Sequence, residues 1–115
     1  MKKSIILKIL FLSLIISCSA PVVEIPKDVL PKDKMTSILV DVHLAEAAMT
    51  LNNSQRDTAK VMEYYDFIYK NHNTTKKQFT ESYNFYLANP ELLNKIYDDV
   101  LIELSKKQTE AVKKH

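Results

Sequence analysis

The chain has 115 residues, 16 basic and 14 acidic, with a formal net charge of +2. Three of the basic residues, Lys2, Lys3 and Lys8, fall in an apolar N-terminal segment, which leaves 13 basic against 14 acidic residues elsewhere. This balance excludes the basic face that nucleic-acid binding needs. The complete absence of glycine excludes Gly-rich phosphate-binding loops and favours helices over hairpins.

The chain begins with the three parts of an export signal. Met1-Lys2-Lys3-Ser4 is a basic start, Ile9 to Ile16 is apolar with Ile5 to Leu7 extending it, and the small Ser17 precedes Cys18. A membrane-spanning helix needs about 20 apolar residues, and this run, broken by Lys8, is shorter. Leu14-Ile15-Ile16-Ser17-Cys18 reads as a lipobox. Residues 1–17 would be removed, and Cys18 would be acylated and become the mature N-terminus. Cys18 is the only cysteine, so it has no disulfide partner within the chain. Each buried methylene of an acyl chain contributes about 0.8 kcal/mol, so several chains give a stable anchor.

Residues 18–30 form the predicted tether. Pro21, Pro26 and Pro31 recur every five residues. An extended chain rising about 3.1 Å per residue would reach about 35 Å from the lipid. The other arrangement lays Val22, Val23, Ile25 and Leu30 along the helices as an ordered strap.

Residues 31–115 are predicted to be an all-α domain, a small bundle of about four helices. The first runs from Pro31 to about Leu51, with Met35, Ile38, Leu39, Val42, Ala45 and Met49 on one apolar arc. The second runs from Thr58 to about Asn71, with Asp57 as N-cap and a stripe of Val61, Met62, Tyr65, Ile68, Tyr69 and His72. Phe67 falls off that stripe, so this helix is expected to be covered on two sides. Asn71-His72-Asn73 makes the turn, since Asn tolerates a left-handed cap next best to Gly. The third helix opens with the capping box Thr75-x-x-Gln78 and groups Phe79, Tyr83, Tyr86 and Leu87, with Phe85 pointing elsewhere. The fourth has Asn89 as N-cap and Pro90 in its first turn. Its stripe is Leu92, Leu93, Ile96, Tyr97, Val100, Leu101 and Leu104. Beyond Leu104 the apolar repeat thins among lysines, and a frayed, solvated helix is expected.

The densest polar group is Asp41-Val42-His43-Leu44-Ala45-Glu46. His43 and Glu46 are neighbours at i and i+3, and Glu46 falls inside the apolar arc. An inward carboxylate can ligate a metal, but carboxylate-bridged bundles use two Glu-x-x-His pairs. Only one His-x-x-Glu exists here, and His72 and His115 add no second pair. The alternative is that Glu46 accepts a hydrogen bond from a Tyr or Lys of another helix, because a buried charge must be paired. Of the six tyrosines, Tyr64 lies off its helix's main stripe. With Phe85 it is the candidate surface aromatic. No Ser-His-Asp or Cys-His arrangement can be assembled, so no catalytic residue, metal or cofactor is assigned.

Four stretches, taken together, carry a resemblance. They are Val29 to Met35, Ile38 to Ala47, Phe79 to Tyr83 with Tyr86, and Asn89 to Leu93 with Ile96-Tyr97. In this order they resemble a family of small Bacteroidota lipoproteins catalogued as domain of unknown function 4296. Where the family has a Gly-containing turn before the third helix, this chain carries Asn73. The resemblance implies lineage and envelope location and brings no activity. In that lineage Asp57-Thr58-Ala59 resembles an O-glycosylation site at Thr58, although capping by Asp57 accounts for the same residues.

The expected protein is therefore a non-enzymatic lipoprotein held in the outer membrane through acyl chains on Cys18. No acidic run follows Cys18, so the domain is expected to face the periplasm and to bind other envelope proteins. The competing expectation is a ligand- or metal-binding helical domain using Asp41, His43 and Glu46.

Overall fold

The computed structural model describes residues 1–12 and 22–115; Cys18 and the rest of the lipobox lie outside the described residues. These residues form five α-helices and no strand. They are α1 (Lys2–Leu12), α2 (Lys32–Leu51), α3 (Thr58–Asn71), α4 (Lys76–Leu87) and α5 (Pro90–Lys113), with a short 3-10 turn at Ser54–Arg56. The helix count exceeds the expected four because the N-terminal segment is itself helical. Every α1 residue from Lys2 to Phe11 is exposed, including Ile5, Ile6, Leu7, Ile9, Leu10 and Phe11. No described helix is long and apolar enough to cross a membrane.

The bundle is made by α2 to α5. Helix α2 is central and packs against α5 and α3, while α4 rests on both α5 and α3. The arc Met35, Ile38, Leu39, Val42 and Met49 is buried as its spacing predicts. Thr36 and Val40 are buried too, which widens the covered face of α2. Burying a valine contributes about 1.5–3 kcal/mol, so Val40 is a substantial part of the core. Ile68 and Tyr69 of α3, Tyr86 of α4, and Ile96 and Val100 of α5 complete it.

Asparagine does the work of glycine at two turns. Asn53 and Asn73 have φ of 54° and 50°, the positive values found among the described residues. After α3, Asn73 N–H donates to Lys70 C=O (3.0 Å) and Thr74 N–H to Tyr69 C=O (2.9 Å). That pair of bonds closes the helix end on its otherwise unpaired carbonyls.

The caps are made in part as expected. Asp57 Oδ1 accepts from Lys60 N–H at 3.3 Å, and Thr75 Oγ1 accepts from Gln78 N–H at 3.1 Å. The reciprocal half of the box is replaced, because Gln78 Oε1 accepts instead from the Thr74 hydroxyl at 2.8 Å. Asn89 makes no side-chain cap; its Nδ2 donates back to Phe85 C=O at 2.8 Å, tying α5 to the end of α4.

Residues 25–30 are a strap. Ile25 and Val29 pack on the core, Leu30 is buried, and Val29 N–H donates to Pro26 C=O at 3.1 Å. The Leu30 backbone is held at both of its polar groups. Its N–H donates to Ser82 Oγ (2.9 Å) and its C=O accepts from the Tyr86 hydroxyl (2.7 Å). Ser82 and Tyr86 are both fully buried. Val22, by contrast, is 92% exposed and takes no part in the strap.

Three expected core positions lie outside. Met62, Leu87 and Leu101 are more than half or half exposed. In α4 the buried face turns toward the strap, to Ser82 and Tyr86, and Leu87 turns away. In α5 the helix continues to Lys113 and is exposed throughout from Ser105, the solvated helix that the thinning apolar repeat predicts.

Candidate functional site

The polar cluster of α2 divides into two separate arrangements. Asp41 leans toward the end of α3, where its Oδ2 lies 2.7 Å from His72 Nε2. His43 and Glu46 lie on another side of α2, with Nδ1 and Oε2 3.6 Å apart. Glu46 Oε1 accepts the Tyr65 hydroxyl hydrogen at 2.8 Å. The Asp41, His43 and Glu46 side chains therefore do not converge. Among the described residues no three His, Cys, Asp or Glu come together as a metal site would require.

Glu46 departs from its expected inward position. Its residue is exposed and its side chain retains 49% of its accessible surface. It sits at the rim of the α2 arc, and its partner is a tyrosine of the next helix.

The Glu46–Tyr65 bond is one link in a circuit through all four helices of the bundle. Tyr65 lies 6.3 Å from Tyr69, ring centre to ring centre, and Tyr69 lies 5.4 Å from Phe79. Phe79 stacks on Tyr83 at 6.0 Å, and the Tyr83 and Tyr97 hydroxyls are 3.0 Å apart. Tyr97 is 6.4 Å from the His43 ring, which leads back to Glu46. Aromatic contacts of this kind contribute about 0.5–1.5 kcal/mol each beyond burial. The circuit therefore holds α2, α3, α4 and α5 in register along one side.

Its chemistry is that of neutral phenols. Burial, and then the hydrogen bond to Glu46, push the Tyr65 hydroxyl up to about 12. The hydrogen bond with Tyr83, and then burial, raise Tyr97 to about 12. Burial also raises Tyr69 and Tyr86. At neutral pH these hydroxyls keep their protons and act as hydrogen-bond donors and acceptors.

Of the two candidate surface aromatics, Tyr64 is 42% exposed. Phe85 is a correction: it is half-buried against the core, edge-on to Tyr86 at 5.3 Å. Phe85 lies on the Ser82 side of α4, where the strap packs. The aromatic that takes its place is Phe67, 62% exposed, which lines an open hollow with Tyr64, Lys60 and Glu63. Its position off the α3 stripe suggested a helix covered on two sides; instead that side of α3 is open among the described residues. Sequence reasoning missed the pairing of His72 with Asp41, since the two are 31 residues apart. Thr58 is the exposed first residue of α3, beside the cap residue Asp57.

No curated protein and no solved structure matches the chain. A family's sequence pattern matches residues 26–110, which takes in the strap from Pro26 and nearly all of α5. The match covers well over half of the chain and coincides with the strapped bundle, and the chain belongs to the family described as Domain of unknown function (DUF4296).

Proposed function

We propose that the protein is an outer-membrane-anchored lipoprotein facing the periplasm, a non-enzymatic module that binds other envelope proteins. Residues 1–17 are the cleaved signal, Cys18 carries the acyl chains, and residues from 19 to about 24 join the lipid to the strapped bundle. The observation that carries the reading is the division on either side of Cys18. Before it stands a helix with a basic start and wholly exposed apolar side chains. After it, from Ile25 onward, stands a folded unit with its own core.

The non-enzymatic part rests on how the polar side chains of α2 are used. Asp41 holds α3 through His72, and Glu46 holds it through Tyr65. These bonds give each carboxylate an architectural task. No observation favours the ligand- or metal-binding reading of Asp41, His43 and Glu46 over this one. For binding a protein partner, Tyr64 and Phe67 offer an amphipathic aromatic pair flanked by Lys60 and Glu63, the composition found at the anchors of interfaces.

The test is protease shaving of whole cells that produce the full chain with a C-terminal tag. A tag that survives until the outer membrane is broken supports the reading. Loss of the tag from intact cells would place the domain outside and contradict it. Crosslinking in cells, followed by capture through the same tag, should recover envelope proteins, and Tyr64→Ala with Phe67→Ala should reduce that recovery.

A further inference from the structure

Helix α3 and the start of α4 form a half-open hollow of about 250 Å³, lined by Met62, Tyr65, Asp66, Tyr69 and Lys76. Met62, Tyr65, Asp66 and Tyr69 recur at three and four residues, so one side of α3 supplies four of these residues. Lys76, the first residue of α4, supplies the fifth. Tyr69 is only 8% exposed and lies between Tyr65 and Phe79, with ring centres 6.3 and 5.4 Å away. Its ring is therefore covered, and what it offers the hollow is its hydroxyl. That hydroxyl has no hydrogen-bond partner among the described residues and is not sealed from solvent. Buried phenols ordinarily find a partner. Tyr65 offers the hollow only its ring, because its hydroxyl is bonded to Glu46 at 2.8 Å.

Two opposite charges stand at the rim. Asp66 and Lys76 are exposed, and neither forms an ion pair with the other or with any described residue. Lys70 stands one turn beyond Asp66, at the spacing that pairs charges on a helix, and does not pair with it. Lys77, by contrast, is paired with Glu81 at 3.9 Å. Burial, and then the charge of Asp66, push the Tyr69 hydroxyl up, so it remains a donor beside that carboxylate. A ligand that satisfies all three groups carries an ammonium for Asp66 and a carboxylate for Lys76 and the Tyr69 hydroxyl. It also carries apolar atoms for the Tyr65 ring and for Met62, which is 56% exposed. A neutral sugar would leave both charges unanswered, and the covered Tyr69 ring gives it no face to stack on. Drug-sized ligands fill about 300–1,000 Å³, so this hollow takes a smaller molecule.

We propose that this hollow binds a free α-amino acid with an apolar side chain. The ammonium sits at Asp66, the carboxylate lies between Lys76 and the Tyr69 hydroxyl, and the side chain lies along Met62 and Tyr65. The site rests on α3 and α4 alone. It stands whether or not Cys18 carries lipid and whether or not the bundle binds envelope proteins.

Titration of the full chain with L-leucine, L-methionine and L-phenylalanine in turn tests it, read by NMR of ring-labelled tyrosine. At least one should shift the Tyr65 and Tyr69 signals saturably, with a Kd of about 1 mM. The methyl ester of that amino acid lacks the carboxylate charge and its N-acetyl form lacks the ammonium; each should bind about fivefold more weakly. Asp66→Asn should weaken binding of the free amino acid about fivefold and remove the penalty of acetylation. Lys76→Met should weaken it by a similar factor and remove the penalty of esterification. Tyr69→Phe should weaken binding while leaving the urea midpoint unchanged, since the hydroxyl holds nothing within the bundle. No saturable shift with any of the three up to about 50 mM would overturn the proposal. So would blocked forms that bind as tightly as the free amino acid, or binding that Asp66→Asn and Lys76→Met leave unchanged.

Discussion

The Tyr86 hydroxyl donates to the carbonyl oxygen of Leu30 at 2.7 Å, across 56 residues of sequence, with the donor side chain wholly buried. Together with Ser82 it satisfies both backbone polar groups of Leu30, and so fixes where the tether becomes part of the bundle. Tyr86→Phe leaves a buried carbonyl unpaired and should cost about 1–3 kcal/mol in urea unfolding; Ser82→Ala strands the Leu30 N–H and should cost a similar amount. Both variants should also make the peptide bonds around Ile25 to Leu30 easier to cleave by added protease. Wild-type stability in both would show that the strap does not hold the body.

Thr36 offers the opposite case. Its hydroxyl is buried with no hydrogen-bond partner among the described residues. Thr36→Val keeps the shape and removes the stranded group, so stability should rise by about 1 kcal/mol. A fall in the urea midpoint would mean that the hydroxyl has a partner in solution.

The raised tyrosines set an alkaline limit. Tyr65 and Tyr97 are pushed up to about 12 in the folded protein, against the ordinary 10.0 of an exposed tyrosine. Above pH 10 the unfolded chain loses phenolic protons that the folded chain keeps, so unfolding releases protons and stability falls as pH rises. This contribution is whole below pH 10 and is lost between about pH 10 and 12. Urea midpoints measured from pH 8 to 11.5 should be flat at first and then decline, and Tyr65→Phe should shallow the decline. Burial outranks Glu46 among the causes at Tyr65. Glu46→Gln should therefore lower the Tyr65 titration only in part, read by NMR of ring-labelled tyrosine.

Asn73 tests the glycine-free turn. At φ 50° a side chain with a β-carbon is disfavoured, and Asn tolerates the site by local hydrogen bonding. Asn73→Ala should cost about 1–2 kcal/mol, whereas Asn73→Gly should be neutral or slightly stabilising. Equal melting temperatures for all three chains would show that the turn does not constrain α3.

The helices were legible because each carries its own punctuation: Pro31, Asp57, Thr75 and Pro90 at the starts, Asn53 and Asn73 at the ends. The arc of α2 was legible from period alone. What lay beyond reach came from neighbours distant in sequence. The strap bonds to Ser82 and Tyr86 of α4, Phe85 packs partly buried beside Tyr86, and Leu87 is half exposed. Glu46 reads as inward on a helical wheel, yet Tyr65 approaches it at the rim, and Asp41 finds His72 rather than its sequence neighbours. A wheel shows the angle of a side chain and not the height or tilt of the helix that meets it.

The most direct test of the anchored-lipoprotein account is mass spectrometry of the N-terminal peptide of the protein isolated from its own membranes. The expected peptide begins at Cys18, lacks residues 1–17 and carries acyl chains in place of a free thiol. An unmodified Cys18 thiol, or a peptide that still contains residues 1–17, would contradict the account.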